Sequence, residues 1–256
     1  MAASGTVVLS ALEFDVLWER ERLPRKHEAI GVPSPGKTHS ERAQLVAQAL
    51  AGLRQRGLAD GERAVPELAD QLSLLAYPQV CLDSWVWTDR QISSLAVASG
   101  NTALLAAVDA GEVWLIPARD TAIAEAAVSI AGEVLAGPGY SVSVPTDVLK
   151  AADKESHGDR RELAAALMRG GVPNSDARTM SDMVAGMAIR GQFGASRLQR
   201  DQRMVRADRI VAFHDTSHGR YVYLAKPNND GRMWSTVTPA DNQRLAMCLR
   251  ELLDEV

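Results

Sequence analysis

Hydrophobic positions along this chain change their spacing in a set order. A short apolar run at residues 6–10 leads into polar-rich sequence in which apolar residues recur every three or four positions. Val46, Leu50 and Leu53 fall on one face of a helix expected over residues 41–56, with Gly57 as its stop, and Pro66 opens a second helix that must end before Pro78. Apolar and β-branched residues then gather in runs at residues 80–87, 91–99 and 102–108, divided by Thr88-Asp89-Arg90 and Gly100-Asn101. That spacing predicts an antiparallel meander.

The same order returns after Gly137-Pro138-Gly139. A strand expected at residues 141–144 precedes Asp147-Val148-Leu149, as residues 6–10 precede Asp15-Val16-Leu17. Helices expected at 160–169 and 177–189 come before strands that begin at Gly191, and residues 209–215 and 220–225 flank Thr216-Ser217-His218-Gly219 as a hairpin would. Both halves close alike. Gly111-Glu112-Val113-Trp114, Pro117 and a helix running to Leu135 match Gly231-Arg232-Met233-Trp234, Pro239 and a helix running to Leu253, with Asp120 and Asp241 placed as N-terminal caps. Ile123, Ala127, Ile130 and Val134 form the apolar face of one closing helix; Leu245, Cys248 or Leu249, and Leu252 form that of the other. Helices grouped before strands predict an α+β fold with a mostly antiparallel sheet. The expected organisation is one domain, residues 1–256, built of two pseudo-repeats at about 1–136 and 141–256 that share a sheet, because either half alone would leave strand edges open.

Composition narrows the function classes. With 256 residues, 46% of them hydrophobic, the chain can bury roughly 70% of its unfolded surface. A balance of 28 basic against 32 acidic side chains argues against nonspecific affinity for nucleic acid or an anionic membrane, and no basic run overrides it. No stretch approaches the ~18 apolar residues that would span a bilayer, and MAASGTVVLSALEFD lacks the basic start of a secretory leader. A cytoplasmic location without membrane insertion is expected. Cys81 and Cys248 then read as buried thiols rather than a disulfide.

Two motifs invite chemistry. Gly31-Val32-Pro33-Ser34-Pro35-Gly36-Lys37-Thr38 spells a phosphate loop letter for letter, which makes a nucleotide-binding protein the alternative function. The buried strand that should precede it is missing, however, since residues 19–30 are rich in Glu, Arg, Lys and His, and Pro33 and Pro35 remove N–H donors from the cradle. Thr38-His39-Ser40-Glu41 reads instead as a capping box, leaving Lys37 solvated. The second motif is His214-Asp215-Thr216-Ser217-His218. Neighbouring strand residues face opposite ways, so His214 and Asp215 cannot act as base and orienter, and His214 and His218 lack a third metal ligand at a recognisable spacing. No catalytic, cofactor or metal residue is assigned.

The order and spacing of several short segments resemble the EspG family, chaperones associated with ESX (type VII) secretion. The strongest are Arg190-Gly191-Gln192-Phe193-Gly194, Arg209-Ile210-Val211, His214-Asp215-Thr216, Gly219-Arg220-Tyr221, and Trp234 with Thr236-Val237 and Pro239-Ala240-Asp241. Val32-Pro33-Ser34-Pro35-Gly36, Glu41-Arg42-Ala43, Arg56-Gly57-Leu58 and residues 12–18 extend the likeness over nearly the whole chain. The resemblance implies a central twisted antiparallel sheet flanked by two helical bundles, with pseudo-two-fold symmetric halves. It implies no enzyme activity and no cofactor. The implied partner is the PPE protein of a PE–PPE heterodimer, bound 1:1:1 at its apolar tip, by a monomer or weak homodimer in the cytosol.

Two surfaces suit that task. The Thr88-Asp89-Arg90 loop corresponds to a loop that approaches the client in the family, and places Asp89 and Arg90 at a rim. Met180, Met183 and Met187 form an adaptable apolar stripe at helical spacing, although the same spacing also marks a packed helix face. Gln192 and Phe193, at the adjoining helix-to-strand junction, complete the expected client-binding set.

Overall fold

The computed structural model describes residues 5–256; residues 1–4, part of the opening run weighed as a leader, lie outside the described residues. The chain divides into two compact units. The first takes residues up to Trp85, Gln91–Ile130 and Ser196–Val205; the second takes Val86–Arg90, Ala131–Ala195 and Arg206–Val256.

In the first unit β1 (Val7–Ser10) leads directly into α1 (Ala11–Arg20), followed by α2 (His39–Gln55), a small ribbon of β2 (Ala59–Asp60) and β3 (Arg63–Ala64), and α3 (Pro66–Ala76). Then come β4 (Val80–Trp87), whose last two residues belong to the second unit, β5 (Gln91–Ser99), β6 (Thr102–Asp109), β7 (Glu112–Ala118) and α4 (Ile123–Ser129). The sheet order is β1-β7-β6-β5-β4, with antiparallel pairing of β1 to β7, β7 to β6 and β6 to β5. Helix α1 starts where it does because Ser10 and Glu13 form a capping box: the Ser10 hydroxyl accepts from the Glu13 N–H at 3.2 Å and the Glu13 carboxylate accepts from the Ser10 N–H at 2.8 Å.

Residues 21–38, joining α1 to α2, fold back into the core. Their 3-10 turn Glu28–Ile30 packs on β5 and β6, and Ala29 and Ile30 are fully buried in a cluster with Leu95, Val97, Leu104 and Ala106. One buried carboxylate holds this strap in place. Asp15 accepts hydrogen bonds from Lys26 Nζ, Ser34 Oγ and Arg42 Nη2, each at 2.8 Å, while Trp18 Nε1 donates to the Pro24 carbonyl at 2.6 Å. Burial by itself would raise the Asp15 carboxyl, but donation from Lys26, Ser34 and Arg42 outweighs it and holds the group below its ordinary value.

These contacts dispose of the phosphate-loop reading. A 3-10 turn, not a strand, precedes Gly31. A Cβ at Gly36 would stand 2.9 Å from the Arg42 Cα, so the loop runs tight against α2 rather than around a cradle. Thr38 caps α2 by accepting from the Glu41 N–H at 3.2 Å, yet the Glu41 carboxylate reaches the Lys37 N–H at 2.9 Å, one residue short of a capping box.

The second unit runs β8 (Val142–Pro145), α5 (Thr146–Ser156), α6 (Arg160–Arg169), α7 (Asn174–Val184), β9 (Ile189–Leu198), whose end from Ser196 is assigned with most of β10 (Met204–Arg206) to the first unit, then β11 (Val211–Thr216), β12 (Gly219–Pro227), β13 (Met233–Pro239) and α8 (Asn242–Leu253). Its sheet order is β8-β13-β12-β11-β9, antiparallel at every pairing, with β10 beside β9. The whole is α+β. Register makes the two units directly comparable. The hairpin pair Thr216–Gly219 corresponds to Ser99–Thr102, so Ala212, His214, Tyr223 and Val237 stand where Leu95, Val97, Ala106 and Leu115 stand. The edge pair Val142–Val237 likewise corresponds to Val7–Leu115.

Several sequence expectations shift on this frame. Counted from the caps Ser10 and Pro145, Asp15 corresponds to Lys150 rather than to Asp147. The prolines of the closing strands are equivalent, since Pro117 pairs with Leu104 and Pro239 with Tyr221, but Trp114 and Trp234 then stand two positions apart. Asp241 caps α8, accepting from the Arg244 N–H at 2.8 Å, whereas Asp120 opens a 3-10 turn whose cap, Arg119, makes no side-chain bond. Helix α4 ends at Ser129, ahead of Gly132 at φ 71°, instead of running to Leu135. Helix α7 ends at Val184, ahead of Gly186 at φ 69°, instead of running to residue 189. Met187 is therefore off the helix.

Candidate functional site

The residues that invited chemistry are structural. Asp215 and Arg220 face each other across the β11–β12 hairpin, with Arg220 Nε 2.7 Å from Asp215 Oδ1 and Nη2 2.8 Å from Oδ2. Arg220 is wholly buried. Its remaining donors reach the Ala131 carbonyl at 2.6 Å, the Gly132 carbonyl at 3.3 Å and Asn242 Oδ1 at 2.5 Å, and its guanidinium lies 4.7 Å from the Phe213 ring centroid. A desolvated charge needs such complete pairing. The result is a staple that fixes the segment after α4 to the hairpin, where Tyr221 Oη also donates to the Pro138 carbonyl at 3.1 Å. Gly137 is required there, because a Cβ would lie 2.2 Å from the Tyr221 ring.

His214 points to the other face of the sheet. Its Nε2 lies 2.9 Å from the Met183 carbonyl and its ring stacks on Tyr221 at 5.4 Å. Burial lowers its pKa, against the opposing pull of that carbonyl and of Asp215. His218 lies exposed in the turn, its N–H donating to Thr216 Oγ1 at 3.1 Å. Among the described residues no group of three or more His, Cys, Asp or Glu side chains is placed to share a metal.

A cleft opens on the face that His214 shares. It holds about 520 Å³ within the second unit, between the sheet and helices α5 to α7. Ala212, Tyr223 and Val237 form its floor, Leu149, Leu163 and Val184 its helical wall. Trp87, Met187, Arg190 and Gln192 border it, with Lys150 and Asp153 from α5. The Arg190 guanidinium sits 5.7 Å from the Trp87 ring centroid, a cation–π contact at the edge. An apolar floor with a mixed-charge border suits an apolar protein segment that arrives with polar flanks.

The expected client-binding residues divide on this geometry. Met187, 54% exposed, and the half-buried Gln192 both border the cleft. Asp89 and Arg90 are exposed on the loop that continues from Trp87, 3.5 Å apart, with Thr88 Oγ1 donating to Asp89 at 2.7 Å. Met180, Met183 and Phe193 need correction. Both methionines are buried in the cluster that includes Val142, Leu167 and Tyr221, because α7 turns that face onto the sheet. Phe193 is also fully buried, 5.8 Å from Phe213 on the sheet face opposite Gln192. Trp87, Leu149, Lys150, Asp153 and Tyr223 also line the cleft and carry no local motif that marks them. Arg190-Gly191-Gln192 was the available signal, as it carried the resemblance and its two side chains face the cleft.

The EspG family model matches residues 10–251, and the chain belongs to that family. Among solved structures it is similar to a chain from the structure of the Mycobacterium tuberculosis type VII secretion system chaperone EspG5 in complex with a PE25–PPE41 dimer, with TM-score 0.77 over 98% of this chain and 96% of that one. Identity to it is 14%, so this likeness establishes the fold. No curated protein matches.

Proposed function

We propose that this member of the EspG family is a non-enzymatic chaperone of type VII secretion, a single domain of two pseudo-repeats that binds the PPE subunit of a PE–PPE heterodimer in the cytosol. The cleft of the second unit receives the client's apolar tip. Trp87, Met187, Arg190 and Gln192 form its border and Ala212, Tyr223 and Val237 its floor, and the loop after Trp87 adds Asp89 and Arg90 to the client-binding surface. The observation that carries this reading is the cleft itself: an apolar recess in an EspG family fold, edged by side chains that remain soluble when it is empty. EspG5, the similar solved chaperone, was captured with a PE25–PPE41 dimer. Covering an apolar tip of that kind keeps a secretion substrate from aggregating.

Co-expression with candidate PE–PPE pairs from this chain's own genome tests the proposal. A 1:1:1 complex on size exclusion with light scattering is expected. Failure of the folded chaperone to retain any such pair would overturn it.

A further inference from the structure

The two units share element order and strand register, yet their helix-to-sheet spaces are filled differently. In the first unit Leu95, Val97, Ala106 and Leu115 are buried, covered in part by the strap's own Ala29 and Ile30. In the second unit the corresponding Ala212, His214, Tyr223 and Val237 line the open cleft. The cause is chain length. The α1–α2 connection spans residues 21–38, whereas the α5–α6 connection is only residues 157–159, too short to reach back over the sheet.

The anchoring positions differ too. Asp15 and Trp18, which hold the strap through Lys26, Ser34 and the Pro24 carbonyl, correspond to Lys150 and Asp153 on the cleft wall. Where the first unit offers its strap a carboxylate, the second offers a cation.

We infer that the client segment takes in the second unit the place that the strap's Glu28–Ile30 turn takes in the first. The occupant is a short helical turn of the partner, carrying a small residue followed by a branched apolar one, with an acidic side chain set against Lys150. The small residue lets the turn lie close on the sheet, as Ala29 does, and the branched one fills the space over Ala212 and Tyr223. Arg190, beside Trp87, adds a second cation at the border and favours the same acidic flank. This inference rests on the cleft being the client site.

Three results separate the possibilities, with the PE–PPE pair retained on co-expression as the probe. Ala212→Trp fills the cleft floor and should weaken client binding by at least about 30-fold, while Lys150→Glu should weaken it about 5-fold at low salt, a difference from the wild type that shrinks as salt is added. A photo-crosslinking residue at Met187, on the border, should then capture client residues within one helical turn of a small-plus-branched apolar pair that has an acid nearby. Normal binding by Ala212→Trp, in a variant whose thermal unfolding shows it folded, would place the client elsewhere and overturn both the cleft reading and this inference. Loss of binding by Ala212→Trp with crosslinks to an extended or polar client segment, or with no change in Lys150→Glu, would overturn the inference alone.

Discussion

The first unit closes the space between its helices and its sheet with its own chain, and the second leaves the corresponding space open. Sheet order, hairpin register and the step from the opening strand into the first helix all agree between them. What differs is the strap of residues 21–38 and the carboxylate that holds it, Asp15. One packing scheme thus yields a sealed core or an open recess according to the length of a single connection. A second difference lies on the other sheet face, where the buried pair Asp215–Arg220 replaces the pair Ala98–Ala103 of the first unit. The charged version ties down the segment after α4.

The largest expected effect breaks that staple. Arg220→Met leaves Asp215 buried without its partner and should cost about 3–5 kcal/mol in urea denaturation, while Asp215→Leu combined with Arg220→Met should recover most of the loss. A loss in the double variant equal to the sum of the Asp215→Leu and Arg220→Met losses would mean that the pair is not coupled. Next comes the strap. Ile30→Ala should cost about 2–4 kcal/mol because the first unit's core is sealed around it, and Leu149→Ala in the open cleft wall under about 1 kcal/mol. Similar costs at both sites would erase the contrast between sealed and open.

Smaller still is the border. Arg90→Glu should weaken client retention by no more than about 1 kcal/mol and leave the thermal midpoint unchanged, as an exposed charge allows. The smallest effect is in pH. His214 is held below its ordinary value by burial, so the unfolded chain takes up the proton first and stability declines as pH falls below about 6.5. His214→Gln should flatten the dependence of the midpoint between pH 7 and 5.5, and an unchanged slope would show that another group is responsible. Asp15, held low despite its burial, acts in a more acidic window. Its contribution is complete above about pH 3.9 and is lost as pH falls through its lower native value.

Much of the fold was legible because turns and caps are local. Gly57, Pro66, Thr88-Asp89-Arg90 and Gly100-Asn101 divided the first half into elements that match α2, α3 and the β4–β6 meander to within a residue or two at most ends. Local signals also misled. Ile123 to Val134 kept helical spacing past Ser129, and Met180 to Met187 past Val184, where Gly132 and Gly186 in left-handed conformations end the helices. The cleft was only half legible. Met187 and Gln192 border it, but Trp87, Leu149 and Tyr223 come from three separate elements, and only the folded register brings them together. Burial of Met180, Met183 and Phe193 is tertiary in the same way: a methionine face reads alike whether it meets a sheet or a client. The strap was the hardest to see, since a charged, proline-rich connection gives no hint that Ala29 and Ile30 are core.

Differential hydrogen exchange with and without a bound PE–PPE pair is the sharpest test of the cleft as client site. New protection is expected in α5, in residues 185–192 and in the Trp87 to Arg90 segment, with Glu28–Ile30 and its neighbours in the first unit unchanged. Protection centred on the first unit's strap or on α2 and α3, with the cleft elements exchanging as before, would contradict it.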